Sequence, residues 1–426
     1  MTSLERKGRM WGLAVIALLL LPGAAMAAIP GITGPNFSLT AKAGSVTVDD
    51  GTILYMWGYA NGSAQMQYPG PTLIVTEGQT VTVALTNELT IPVSIVFPGQ
   101  AGVTATGGLP GLLTNEASVG SPVTYSFTAG QPGTYIYYSG TQPELQVEMG
   151  LVGTLIVRPL MGPKYAYNDA TTAFDREYLF FLSELDFPIH QKASLNRLDL
   201  INNTDARPAY WFINGRAGMD TVVGNNDPIF PSQPYGSLVA MNAGEKVLVR
   251  MVGGGRDLHP LHLHGNHARL IARDGRLLKS GTTILSEGTF TVTVGPGQTF
   301  DEIFSWTGKD MGWDIFGTVA DNPHSCNAGP DGFDPVSHEW CADHDKPIPV
   351  ILPDIKDILP GPLYTGSPYL GISGTLPPGE GGFNPFNAFA FMWHSHSEKE
   401  LTSGNIFPGG MLTWALVVPP GILAAE

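Results

Sequence analysis

Apolar and polar residues take turns through "TLIVTEGQTVTVALTNEL" (72–89), directly after a Pro-Gly-Pro turn. Alternation of this kind places one side-chain face in a core and the other in water, which is the period of a half-buried strand. "SPVTYSFTAGQPGTYIYYSG" (121–140) predicts two strands around a Gly/Pro turn, and "GLVGTLIVRP" (150–159) an apolar strand stopped by proline. Together they predict an all-β domain over 35–160. A second set begins at "REYLFFLSELDF" (176–187). "GEKVLVRMV" (244–252) echoes "EGQTVTVAL" (77–85): a glycine-containing turn, then an alternating strand. "HPLHLHGNHARLIARDGRLL" (259–278), "TFTVTVGPGQTFDEIFSW" (289–306) and "GGMLTWALVVPP" (409–420) continue in the same style. The chain therefore reads as two β-sandwiches of similar plan. The second, 175–420, is interrupted at 321–390 by a Pro/Gly-rich insertion, which is expected to be ordered by packing on the surface or by a protein partner.

Composition supports this picture. The 426 residues are 43% hydrophobic and 14% charged, which is globular, and 53 glycines with 35 prolines suit a turn-rich β protein. Arg6, Lys7 and Arg9, an apolar run from Trp11 to Leu21 and the small-x-small site Ala25-Met26-Ala27 predict a signal peptide over 1–27. Its apolar run is too short to span a bilayer, and no later stretch looks like a membrane helix, so an integral membrane protein is not expected. Arg6 and Arg9 are separated, so the twin-arginine pair is absent. The expected location is periplasmic or extracellular. Formal charge is −15, and −17 without the first 27 residues, which argues against nucleic acid or anionic lipid as partner.

Cys326 and Cys341 are the two cysteines. In an oxidising compartment they read as a disulfide. The rival reading is a thiolate metal site with His324, His338 and His344.

Six of the ten histidines fall in two short stretches: His259, His262, His264 and His267 in "HPLHLHGNH", and His394 and His396 in "MWHSHSEKE". Residues two apart on a strand share a face. His262 with His264, and His394 with His396, can thus converge as four imidazoles, a set that suits copper or zinc.

"HPLHLHG" resembles the third copper motif of the multicopper oxidases, and "HSHSEKE…GGM" resembles the fourth. "YWFINGRAGMDT" (210–221), "GEKVLVRMV", "VGPGQTF" (294–300) and "YPGPTLIVTEGQTVTVALTNEL" resemble other landmarks of that family. The similarity covers most of 45–310 and 390–420. It implies two cupredoxin-like Greek-key sandwiches, copper binding, and a homotrimer as in the two-domain branch. The departures are specific. Where the family's first motif has two histidines around a tryptophan, this chain has Val96, Phe97 and Pro98; where the second has two histidines, it has Tyr138 and Gly140. Ser395 stands for the cysteine that binds the type 1 copper, and Glu400 for the last histidine. A blue-copper centre needs soft thiolate ligation, which a serine cannot supply. Four of the family's eight cluster histidines remain.

The metal site is therefore expected at His262, His264, His394 and His396. His259 and Glu400 would form either a weaker second metal site or a buried His–carboxylate hydrogen bond. Met411 reads as a core methionine, with Asn405 at the stricter ligand spacing; His267 reads as exposed or supporting, and Asp274 as a turn residue. Three functions follow: an exported copper-binding protein without laccase-type turnover, an oxidoreductase using an external electron donor, or a non-catalytic partner-binding protein.

Overall fold

Along the strand Thr80–Asn87 every second residue is buried, with Val81, Val83 and Leu85 fully so, and the residues between face outward. The computed structural model describes residues 29–350, 369–371 and 388–423. The signal peptide predicted at 1–27 and much of the 321–390 insertion lie outside the described residues.

Two sandwiches result. In the first, one sheet runs in the order Ile53–Asn61, Asn36–Thr47, Thr80–Asn87, Val123–Thr128, Thr104–Gly107. The other runs Ile32–Thr33, Leu73–Thr76, Val152–Arg158, Gly133–Tyr138. Their inward faces form one core that includes Leu39, Tyr59, Val83, Tyr125, Tyr137 and Leu155. Asn36–Thr47 pairs in parallel with Thr80–Asn87, so the chain crosses between sheets in Greek-key fashion. The second sandwich repeats the plan with sheets centred on Lys246–Gly253 and Thr299–Ser305, and on Phe389–Ser395 and Leu412–Val418. The all-β, two-sandwich expectation holds. The pattern reading had no strands at Asn36–Thr47 and Ile53–Asn61, the longest pair of the first sandwich.

The two sandwiches share a core. Val46, Met56, Tyr68 and Ile156 of the first pack with Leu179, Phe181, Phe212 and Val252 of the second. The Tyr68 ring meets Phe181 and Phe212 edge-on, each at 6.4 Å, and its hydroxyl donates to Ser183 Oγ at 2.7 Å. At the same junction Arg250, fully buried, donates to Glu177 Oε1 at 2.6 Å and to Thr134 Oγ1 at 3.0 Å. Arg158 of the first sandwich donates to the same Glu177 oxygen at 2.6 Å.

Between Ser305 and Phe389 no described residue belongs to a strand longer than an isolated bridge. This stretch is held by its own turns and by the Cys326–Cys341 disulfide. The disulfide is thus the reading the structure carries, and the thiolate site is not. No helix among the described residues is long and apolar enough to cross a membrane.

Candidate metal centre

Two neighbouring strands of the second sandwich carry the histidines. His259–Leu263 pairs antiparallel with Phe389–Ser395 in the register Leu261↔Ser395, His262↔His394, Leu263↔Trp393. His262 and His394 are therefore directly opposite each other, and alternation sends Leu261, Leu263 and Trp393 into the core on the other face. His264 and His396 follow on the histidine face just past the paired residues.

All four rings meet. Ring centroids lie 4.8 Å apart for His262–His396, 5.1 Å for His262–His264, 5.2 Å for His264–His394 and 5.5 Å for His262–His394. His262, His264 and His394 each offer a nitrogen within 4.8 Å of the other two. His396 is more than half exposed, with Nδ1 3.3 Å from Glu398. His394 is buried and donates from Nδ1 to its neighbour's carbonyl, Ser395 O, at 2.8 Å. A carbonyl only accepts, so Nε2 of the neutral ring holds the lone pair. That lone pair faces His264 Nε2 at 3.2 Å. His262 Nδ1 is tied to Thr291 Oγ1 at 2.7 Å, which leaves its Nε2 free.

The donor set fits a transition-metal ion. Two nitrogens bound at 2.0–2.1 Å to one tetrahedral centre stand about 3.3–3.4 Å apart, close to the 3.2 Å seen here. Hydrogen bonds from the far ring nitrogens to a carbonyl and a hydroxyl orient the rings, as they do for metal-binding histidines generally. Burial, and for His262 and His264 repulsion from the neighbouring rings, pushes these imidazoles below their usual pKa, so they stay neutral and able to ligate.

Behind this face lies a separate, fully buried network. Ser395 donates to Glu400 Oε2 at 2.6 Å, and the same oxygen receives His259 Nδ1 at 3.0 Å. His259 Nε2 lies 2.8 Å from Glu184 Oε2. Both ring nitrogens of His259 thus face carboxylates. Burial alone would lower its pKa, but the two carboxylates outweigh it and push it up to about 9. Of the two forms expected for His259 and Glu400, the structure shows the hydrogen bond. Met411 is fully buried in the main core, and Asn405 occupies a turn at φ +71°. His267 is exposed against Phe290, and Asp274 sits at φ +51° in a turn, accepting from Thr299 N. Sequence reasoning missed Glu184. Its signal was the polar pair Ser183-Glu184 directly after the apolar run Tyr178–Leu182 of a fully buried strand.

Glu184 also lines a cleft of about 620 Å³ between the sandwiches, walled by Tyr68, Tyr138, Glu148, Arg256 and Pro296. Tyr138 exchanges both backbone hydrogen bonds with Val96, N to O at 2.8 and 3.3 Å. The positions that align with the family's first two motifs are therefore still adjacent, but they carry valine and tyrosine. Phe97 is buried, its ring 4.9 Å from Phe127.

Comparison with known proteins agrees with this architecture. Residues 40–161 match the family model described as multicopper oxidase. The copper-containing nitrite reductase of Alcaligenes xylosoxydans xylosoxydans is 30% identical over 241 residues, covering 54% of this chain and 66% of that protein. A probable nitrite reductase-hydroxylamine oxidoreductase fusion protein of Kuenenia stuttgartiensis is 26% identical over 238 residues, covering 54% of this chain and 24% of that protein. The blue copper oxidase of Nitrosomonas europaea shares the fold, with a TM-score of 0.57 at 20% identity over 89% of this chain and 85% of that one. The chain thus spans between a quarter and two thirds of the first curated relatives it matches. The chain is thus similar to the multicopper oxidases over residues 40–161 and fits as a divergent homologue of them.

Proposed function

We propose that this chain is an exported copper-binding protein that holds its metal at His262, His264 and His394, with His396 as a further donor, and that it lacks a type 1 blue copper and laccase-type turnover. The observation that carries the reading is the His264–His394 nitrogen pair at 3.2 Å, with the second nitrogen of His394 committed to a carbonyl. Copper is the metal named by the relatives, and the imidazole set accepts zinc as well. Copper bound there would supply one-electron chemistry. The protein's own contribution is to hold neutral rings in a fixed arrangement on a rigid sheet. Ser395 points away from that face into a carboxylate, so no sulfur links this site to a second redox centre. Export is supported by the disulfide, which persists in oxidising compartments. A homotrimer that covers the histidine face is part of the same proposal.

Metal analysis tests it. Copper-loaded protein is expected to retain an ion at this face after dialysis, without intense blue colour. His394→Ala is expected to lower the copper retained by about one ion per chain. Equal retention in that variant overturns the site, and an intense blue band overturns the assignment at residue 395.

A second reading is an oxidoreductase fed by an external electron donor. The exposure of His264 and His396 favours it, because a donor could approach the centre directly. Oxygen consumption that disappears in His394→Ala would select it over simple binding.

A further inference from the structure

A second group of donors converges in the strand-free stretch after Ser305. Asp314, His324, Glu339 and His344 each bring a ligand atom within 4.8 Å of the others. His324 Nε2 lies 3.3 Å from Asp314 Oδ2 and 3.6 Å from Glu339 Oε2; His344 Nδ1 lies 3.4 Å from Asp314 Oδ2 and 2.7 Å from Glu339 Oε1. Bonds of 2.0–2.2 Å to one tetrahedral centre give donor separations of about 3.3–3.6 Å, so three of the four distances match the edges of such a site.

The hydrogen bonds point the same way. His324 Nδ1 is 2.7 Å from Asn322 O, which only accepts, so the neutral ring presents a lone pair at Nε2. That nitrogen faces two carboxylates and makes no hydrogen bond to either, so a neutral ring there calls for a cation between them. Glu339 is 1% exposed, and its Oε2, aimed into the group, has no hydrogen-bond partner. Asp314, also 1% exposed, is fixed by Phe316 N on one oxygen and Asp345 N on the other, both at 2.8 Å. Two buried carboxylates beside two imidazoles call for a doubly charged ion. The disulfide joins the two ligand-bearing segments: Cys326 follows His324 by two residues, and Cys341 lies between Glu339 and His344.

We infer that Asp314, His324, Glu339 and His344 form a structural site for a divalent transition-metal ion, which organises the 306–350 stretch together with the disulfide. Two nitrogen and two oxygen donors suit zinc, and nitrogen donors discriminate against calcium. Closed four-protein-ligand coordination makes the site structural. It is independent of the histidine face on the second sandwich.

The test removes that face first. Full-length His262→Ala/His264→Ala protein, with the disulfide intact, is loaded with Zn²⁺ and separately with Ca²⁺, dialysed and analysed for metal. About one zinc per chain is expected to remain, with no calcium, and zinc is expected to raise the thermal midpoint. Adding Glu339→Gln, which keeps the shape, is expected to weaken zinc binding at least about tenfold, and His324→Gln to do the same. Circular dichroism verifies the fold of each variant. In otherwise unchanged protein, Glu339→Gln alone is expected to lower total zinc by one per chain. No zinc in the His262→Ala/His264→Ala protein, zinc binding insensitive to both further variants, or calcium bound equally well would each overturn the inference.

Discussion

Ser395 and Glu400 are locked together, hydroxyl to carboxylate, at 2.6 Å in a fully buried position. Restoring sulfur at residue 395 therefore does not by itself rebuild a blue-copper centre. His259 remains held between Glu400 and Glu184, and residue 400 remains a carboxylate. Copper-loaded Ser395→Cys is expected to show no intense thiolate-to-copper absorption band in the visible spectrum. The same variant replaces a charge-assisted hydrogen bond by a weak one, at a cost of about 1.5–3 kcal/mol in urea unfolding.

His259 gives the network a pH dependence. Its folded pKa, pushed up to about 9, exceeds the 6.5 of an unperturbed imidazole. In that window the folded state binds the extra proton, so the stabilisation is complete below about 6.5 and is lost as pH rises through 9. The upper bound is about 3 kcal/mol. Urea unfolding at pH 6, 7.5 and 9 is expected to show this decline, and His259→Gln is expected to make it shallower. A parallel decline in that variant would place the cause elsewhere.

Glu302 makes the opposite case, a carboxyl without a partner. It sits on the strand Thr299–Ser305 between Phe300 and Phe304, on the face that builds the core of the second sandwich. Its Oε1 is unpaired, and burial pushes its pKa up to about 8. The folded state therefore holds a proton that the unfolded chain releases near 4.5, and stability falls between pH 4.5 and 8. Glu302→Leu is expected to stabilise the protein by an amount that grows by roughly 1.4 kcal/mol per pH unit across that window. Thermal midpoints of both proteins at pH 5 and 8 check this.

Arg250 is the cation on which two buried carboxylates depend. It donates to Glu177 at 2.6 Å and lies 3.4 Å from Asp301. Arg250→Met preserves the volume and leaves Asp301 without its ion pair, and Glu177 with Arg158 alone. The expected cost is about 3–5 kcal/mol in denaturant unfolding. Arg250→Met/Glu177→Gln/Asp301→Asn is expected to recover much of it.

What the sequence made legible follows from the range of each signal. Period-two alternation identified the strand around Val81–Leu85, because only one of its faces is buried; Lys246–Gly253 and Leu412–Val418 are buried on both faces and stood out as apolar runs beside glycine turns. It also placed His262 with His264 and His394 with His396, since residues two apart share a face. It did not give the register that sets His262 against His394, which depends on pairing across more than a hundred residues of intervening chain. Asn36–Thr47 escaped notice because, after Phe37 and Leu39, its inward face continues with Ala41, which carries little hydrophobic signal. Glu184, Asp314 and Glu339 were not foreseen as partners, because a carboxylate declares its role only through what it faces after folding. Near the cysteines, His324 and His344 were noticed but grouped with His338. That residue turns away at φ +57° toward the Gly244 turn, and carboxylates take its place.

Tyr68 lodges its ring between two phenylalanines of the other sandwich and donates a hydrogen bond from its hydroxyl to Ser183 there. The halves are thus joined as a seam of interior rather than as two surfaces in contact. Nicking the chain between residues 159 and 175 is expected to yield fragments that co-elute under native conditions and separate only in denaturant.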